Sequence, residues 1–292
     1  MLKTIKNGTI TAKIDTTGAE LKSLVKDGVE YIWQCDPKYW SSCAIVLFPV
    51  VARLKNQVLT IDGKDYPMTM HGFVRDAELE VINHTESSIT FRYEDNELTH
   101  TMYPWKFIFD VTFSIENDVL KCGFQVVNTD ETEMLFCVGG HTGFNVPMFD
   151  GDKFEDYCLV FEKEEVLWSN HVNDDASISA TNKDLILDGG NVVDLKRCLF
   201  NNDAMIFEDI KSDWVNLVNK KTGKGIHFEY KDFPTLAVWT RGEPSDAPYV
   251  CLEPWIGMGF RDNENSNMEE KFGVLKLAPG KTFDAAFTME II

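Results

Sequence analysis

Apolar and polar positions along this chain alternate with a period of two far more often than with the period of a helix. Ile89, Phe91 and Tyr93 fall on one side and Thr90, Arg92 and Glu94 on the other, which is the pattern of a half-buried strand. Phe107, Phe109, Val111, Phe113 and Ile115 repeat it. After a turn at Glu116-Asn117-Asp118, so do Leu120, Cys122, Phe124 and Val126, which predicts an antiparallel hairpin. Thr222-Gly223-Lys224-Gly225 reads as a turn leading into Ile226, Phe228 and Tyr230, and the last segment alternates Phe283, Ala285, Phe287, Met289 and Ile291. Helical signals are scarce: a short helix is predicted from Asp36-Pro37 through Ser42, and another from Ser266 to Phe272, ending at Gly273. With no internal repeat, Pro/Ser-rich linker or break in composition, the prediction is an all-β protein. It is read as one large antiparallel β-sandwich domain over residues 1–292, with few short helices.

Composition adds limits on partners. A chain with 44% hydrophobic and 12% aromatic residues can bury an extensive core. Its formal net charge of -19 repels nucleic-acid phosphates and anionic membranes, so neither is expected as a partner. The plainest reading of that charge is a solubilising surface, and it only mildly disfavours a phosphorylated substrate. Seven cysteines, an odd number with no C-x-x-C pair, are expected to be core thiols rather than a disulfide framework or zinc site, which fits a reducing compartment. The opening segment MLKTIKNGTITAKID is polar and strand-like, and no later stretch is apolar and long enough to span a bilayer. The expectation is a cytoplasmic protein in which the glycosylation-like triplets at Asn7 and Asn83 are chance matches.

The chain has no P-loop, dinucleotide-binding glycine fingerprint, H-E-x-x-H or G-x-S-x-G elbow, which removes the common ATPase, dehydrogenase, zinc-protease and esterase classes. What remains are polar residues at the edges of apolar strands. Phe48-Pro49-Val50-Val51-Ala52-Arg53 ends on a guanidinium whose rigid fork of donors suits sugar hydroxyls, a carboxylate or a structural ion pair. Met70-His71-Gly72-Phe73-Val74-Arg75-Asp76 sets a histidine beside a glycine, and Val138-Gly139-Gly140-His141-Thr142-Gly143 places a second at the end of a strand. Histidine titrates near neutrality and suits proton transfer, although an isolated one is commonly just a satisfied polar group. In Tyr249-Val250-Cys251-Leu252-Glu253-Pro254-Trp255 a partly buried carboxylate gains basicity from desolvation, and Trp255 offers a sugar ring an apolar face. A salt-bridged structural glutamate is the other reading. Asp203, in Asn201-Asn202-Asp203-Ala204-Met205, is either a turn former or a ligand-binding carboxylate.

Taken in order, LFPVVARL, MHGFVRD, GGHTGFNVP, NNDAMIF and VCLEPW resemble the aldose 1-epimerase, or galactose mutarotase, family, and most of all its bacterial LacX-like branch. The resemblance implies a sandwich with an open cleft, a cyclic hexose as substrate, and no metal or cofactor. By motif His141 resembles the family's general acid and Glu253 its general base, while His71, Arg53 and Asp203 match positions that hold the ring oxygen and hydroxyls. Arg75 and Trp255 are further candidate substrate contacts. Opening a hemiacetal needs the anomeric hydroxyl proton removed as the ring oxygen gains one, which suits a paired base and acid. Two positions depart from the family pattern: Thr142 stands where many members have proline, which is expected to reshape a loop under His141, and Ala52 stands where glycine is common, which is expected to narrow the cleft. Competing readings are a hexose-6-phosphate 1-epimerase, which would need basic residues such as Arg53, Arg75 and Arg241 to cluster, a non-catalytic sugar sensor, and a carbohydrate hydrolase or lyase using Asp203 as a second carboxylate.

Overall fold

The computed structural model describes residues 1–292. Its strands run antiparallel in two principal sheets, one of nine strands and one of five. The predicted hairpin forms from Phe107–Glu116 and Val119–Asn128, with Glu116 paired to Val119. The two linking residues, Asn117 and Asp118, have φ of 50° and 63°, the left-handed pair that lets a two-residue turn follow the twist of its strands. Thr282–Ile291 adds to the other edge of this hairpin, and Ser88–Glu94 to its first strand, so the alternating segments of the sequence form the middle of the larger sheet. Their apolar sides are buried and face inward.

The five-stranded sheet runs in the order Met205–Phe207, Thr235–Trp239, Tyr249–Ile256, Val138–Asn145, Ala44–Leu47. One face packs on the larger sheet. Phe144 meets Phe228 with ring centroids 6.1 Å apart, and Phe48, just beyond Ala44–Leu47, stacks on Phe109 at 4.4 Å. Gly140 lies where Phe287 presses against the strand: a Cβ there would come 2.9 Å from the phenyl ring. A continuous apolar cluster extends from Ile5 to Ile291 between the sheets. The other face of the five-stranded sheet forms the concave floor of a cavity and carries both apolar and ionisable side chains.

The structure corrects three expectations. No helix forms over 36–42; instead the amides of Tyr39 and Trp40 both donate to the Asp36 carbonyl at 3.0 Å, making a tight turn. Cys35 and Cys43 are joined as a disulfide with Cα atoms 5.2 Å apart, whereas seven helical residues between them would span about 10 Å. That bridge also corrects the reading of all cysteines as free core thiols: Cys122, Cys137, Cys158 and Cys251 are free and buried, and Cys198 is exposed. The segment 266–272 forms only one 3₁₀ turn, Met268–Glu270, capped by Asn267, with Gly273 at φ 69° after it. No helix is long and apolar enough to cross a membrane.

The contact between Gly140 and Phe287 is testable. Gly140→Ala is expected to cost about 1–3 kcal/mol through overpacking, read as a lower urea midpoint; an unchanged midpoint would show that the sheets are not in close contact there.

Candidate active site

The concave face derives its chemistry from register. The pairings Gly139 with Trp255 and Thr142 with Leu252 set His141 opposite Glu253, and Glu253 pairs in turn with Ala237. Ile45 lies across from His141 on the other side, and Ile206 across from Ala237. One row across five strands therefore reads Ile45, His141, Glu253, Ala237, Ile206: two ionisable groups side by side, flanked by apolar ones. His141 Nε2 is 3.3 Å from Glu253 Oε1, and the two residues are only 7% and 2% exposed. Both stand in mid-strand, not at strand ends as the sequence suggested, because alternation delivers every second side chain to the concave face without ending the strand.

Above this row is a cavity of ≈ 270 Å³. Trp40 stacks on the His141 ring at 4.6 Å and 26°, and Trp239 meets the same imidazole edge-on at 5.7 Å. His71 lies perpendicular to His141 at 5.4 Å. Its loop is built for close approach: Gly72, at φ 78°, passes so near Phe48 that a Cβ would fall 2.0 Å from that carbonyl oxygen. The Ala52 amide donates to His71 Nδ1 at 3.1 Å, so in the neutral ring the proton resides on Nε2. Arg53 and Asp203 lie on the cavity wall, Asp203 on the predicted polar turn before Met205–Phe207. Arg75 donates to Ser42 Oγ at 3.3 Å and also lines the cavity, as does Trp255. All seven residues singled out from the sequence thus converge here. Arg241 does not; it stands in a neighbouring cleft, its Nε donating to the Tyr39 carbonyl at 2.6 Å.

Desolvation dominates the electrostatics. Burial raises the Glu253 carboxyl well above the usual carboxylate range, and the nearby Asp203 carboxylate raises it further. The Trp255 indole N–H lies near enough to offset part of that rise without closing a hydrogen bond. Burial lowers His141 well below the usual histidine range, assisted by His71 and the Arg75 charge. His71 is lowered to about 3 by the same burial, with Arg75 adding to it. Asp203 is raised, mainly by desolvation, with Arg53 opposing. His141, Cys251 and Glu253 offer three potential metal-ligand atoms within 4.8 Å of one another. With no ion present, burial and then the Glu253 charge raise the Cys251 thiol well above its usual range. A second such group, Glu20, Cys35 and Cys43, has both sulfurs in the disulfide and its carboxylate ion-paired to Lys22.

The model of the family described as aldose 1-epimerase matches residues 1–274. The chain belongs to the aldose 1-epimerase family. It is 32% identical to the chromosomal LacX protein of Lactococcus lactis subsp. lactis over 296 residues, covering 99% of this chain and 98% of that one. A galactose mutarotase related enzyme from Lactobacillus acidophilus is 37% identical and superposes with a TM-score of 0.94, covering 100% of this chain and 97% of the other. A galactose mutarotase-like protein from Lactobacillus casei is 28% identical with a TM-score of 0.93, and both chains are fully covered.

Within this aldose 1-epimerase framework, the two departures take on physical form. Thr142 sits inside the strand Val138–Asn145 with its side chain buried, so there is no loop under His141 for it to reshape. Ala52 has φ 54°, a conformation that suits glycine, and its residue does line the cavity. Sequence reasoning did not assign roles to Trp40 and Trp239. Trp40 lies in a turn with no local signal. Trp239 shares the alternation of Thr235–Trp239, yet only the register with Glu253's strand shows which way that alternation faces.

The lowered His71 has a consequence for stability. The unfolded chain binds a proton at this residue below pH ~6.5, and the folded protein does so only near 3. Its contribution is therefore complete above the unfolded value and lost as pH falls through that window. Stability measured by urea unfolding from pH 7 to pH 4 is expected to fall less steeply in His71→Gln than in the parent; parallel curves would mean that His71 is not held neutral.

Proposed function

We propose that the protein is an aldose 1-epimerase in activity as well as family, interconverting the α and β anomers of a hexose with Glu253 as general base and His141 as general acid. The observation that carries this reading is the 3.3 Å approach of His141 Nε2 to Glu253 Oε1 on a desolvated floor. The two oxygens that exchange protons in hemiacetal opening, the anomeric hydroxyl and the ring oxygen, are bonded to the same carbon. An acid and a base serving both must therefore stand side by side, as these do.

The pair is poised by its surroundings. With one proton between them and that proton on His141, Glu253 is a carboxylate made more basic by burial and His141 an imidazolium made more acidic by it. Glu253 takes the proton from O1 as His141 delivers one to O5, and both groups become uncharged, the state that desolvation favours. Rotation about C1–C2 presents the other face of the aldehyde, and the same pair, with roles reversed, closes the ring. His71, through Nε2–H, and Arg53 supply donors for ring oxygen and hydroxyls; Asp203 supplies an acceptor. The pair favours proton exchange over hydrolysis, in which two carboxylates normally flank the bond.

One observation favours a second reading. Arg53 and Arg75 line the same cavity, so two of the three basic residues needed for a hexose 6-phosphate do converge. A neutral hexose remains first because the third, Arg241, is outside it.

Polarimetry of freshly dissolved α-D-galactose and α-D-glucose tests the activity, with NMR exchange for glucose 6-phosphate. Wild type is expected to accelerate relaxation, and Glu253→Gln and His141→Asn to lose about 10²–10⁴-fold each. A folded wild type that accelerates none of these sugars would reject the catalytic reading in favour of sugar sensing. The pH profile is a further check. Activity requires one proton on the pair, so it should fall only on acidification towards the lowered histidine value and on alkalinisation past the raised carboxyl value. The alkaline limb is expected above the ordinary carboxylate range and the acid limb below the ordinary histidine range; limbs at the ordinary values would contradict the assigned shifts.

A further inference from the structure

His141 presents Nε2 to Glu253, and no protein group closes a hydrogen bond to its buried Nδ1. A histidine that must aim a proton is commonly oriented by a bond on its other nitrogen; here ring contacts take that part. Trp40 lies nearly flat on the imidazole at 4.6 Å and 26°, with Trp239 at its edge. The strand makes room for this indole. Gly143 shares the concave face with His141, and a Cβ on it would come 3.0 Å from Trp40 Cζ3. Trp40 leans in turn on Trp239 and Tyr249, at ring-centroid distances of 5.9 and 5.8 Å.

Trp40 is carried by the turn that Cys35 and Cys43 close. One end of that turn belongs to the sheet: the Cys43 carbonyl accepts from the Gly143 amide at 2.8 Å, and the Cys43 amide donates to Glu20 Oε1 at 2.5 Å. The tip is steadied by Trp33 Nε1, which donates to the Trp40 carbonyl at 2.9 Å, and by Arg241 on the Tyr39 carbonyl. The other end depends on the bridge. Cys35 stands at φ 58°, a left-handed conformation that a side chain with a Cβ seldom adopts, so freeing its sulfur lets the backbone relax. The bridge is also placed to react. Cys43 is buried, Cys35 is half-buried, and the Lys22 ammonium lies 3.8 Å from the Cys35 sulfur and 3.9 Å from that of Cys43. Glu20, ion-paired with this ammonium, keeps it in place. A positive charge beside a disulfide stabilises the thiolate that leaves when the other sulfur is attacked.

We propose that the turn closed by Cys35 and Cys43 is a redox-responsive clamp: while bridged it holds Trp40 against His141 as a positioning residue, and a dithiol that opens it slackens the ring and slows the reaction. The effect on rate rests on the mutarotase reading; the effect on the His141 ring does not. In the exchange, a thiolate of the dithiol attacks the more accessible Cys35 sulfur and Cys43 leaves as a thiolate beside Lys22. The second thiol of the reductant then displaces Cys35. The protein gains two electrons and, on protonation, two S–H groups, and the dithiol leaves as its cyclic disulfide.

The test compares air-oxidised protein with protein treated with dithiothreitol and desalted. Alkylation and mass spectrometry should count five free thiols before reduction and seven after. By polarimetry of α-D-galactose and α-D-glucose, reduction is expected to lower kcat about 10–100-fold while KM stays within about twofold, and reoxidation to restore it. Cys35→Ser/Cys43→Ser should be as slow as the reduced enzyme and indifferent to dithiothreitol. Trp40→Ala should be slow in both states, and Trp40→Phe, which keeps a ring to stack, should recover most of the rate. Seven thiols in the oxidised protein, equal rates in the two states, or unfolding on reduction would overturn the clamp, the last because the bridge would then hold the fold rather than the ring. NMR of ¹⁵N-histidine, with the His141 signal assigned by its loss in His141→Asn, gives a readout independent of turnover. A shift on reduction that Trp40→Ala reproduces supports the clamp, and an unmoved signal rejects it. Should no form accelerate any sugar, the mutarotase reading fails and this signal alone decides the clamp.

Discussion

Two ionisable side chains, each stripped of most of its hydration, face one another across adjacent strands, and much of the structure can be understood as what keeps them dry and in register. In water near neutral pH a carboxylate is charged and an imidazole partly so; on this floor each is driven towards its neutral form. The nine-stranded sheet seals the underside, with Phe287 pressed against the backbone at Gly140. Ile45 and Ile206 close the row at its ends, and Trp40 and Trp239 cover the imidazole from above and from the side. A slip of one residue in either strand would turn His141 or Glu253 into the core between the sheets, so the pairing of backbone groups fixes the chemistry as firmly as the side chains do.

Around that floor the backbone is under strain. Ala52, His71 and Asp203 have φ of 54°, 68° and 74°, a left-handed conformation that costs a non-glycine residue about 1–3 kcal/mol. All three line the cavity. Their positions are held by neighbours: the Ala52 amide donates to His71 Nδ1, the His71 amide donates to the Ala52 carbonyl at 2.9 Å, and Gly72 allows the loop to lie against Phe48. The two residues therefore bind each other in both directions, and the histidine tautomer follows from that reciprocity.

The frame was legible in the sequence because it rests on local periodicity. Phe107 to Ile115 and Leu120 to Val126 alternate cleanly since one side of that hairpin is buried and the other wet. His141 and Glu253 were legible as residues, through glycines and apolar neighbours, but not as a pair, since their proximity is set by a register between segments more than a hundred positions apart. The Cys35–Cys43 bridge escaped notice because no spacing rule announces it; a turn anchored on the Asp36 carbonyl brings the two together, and the same turn replaces the expected helix. Trp40 rides on that turn, and so its contact with His141 was hidden for the same reason.

The division of the cavity between sheet and loops bears on how such a protein can diversify. The His141–Glu253 pair belongs to mid-strand positions whose neighbours on the opposite face are core residues such as Leu252 and Phe144, so nearly any change there disturbs packing. Arg53, Asp203 and Ala176 come from three separate connecting segments that meet only at the rim. A lineage can therefore exchange one rim segment at a time without having to rebuild the fold or the His141–Glu253 pair, which under the proposed function would let it try new sugars against an unchanged reaction.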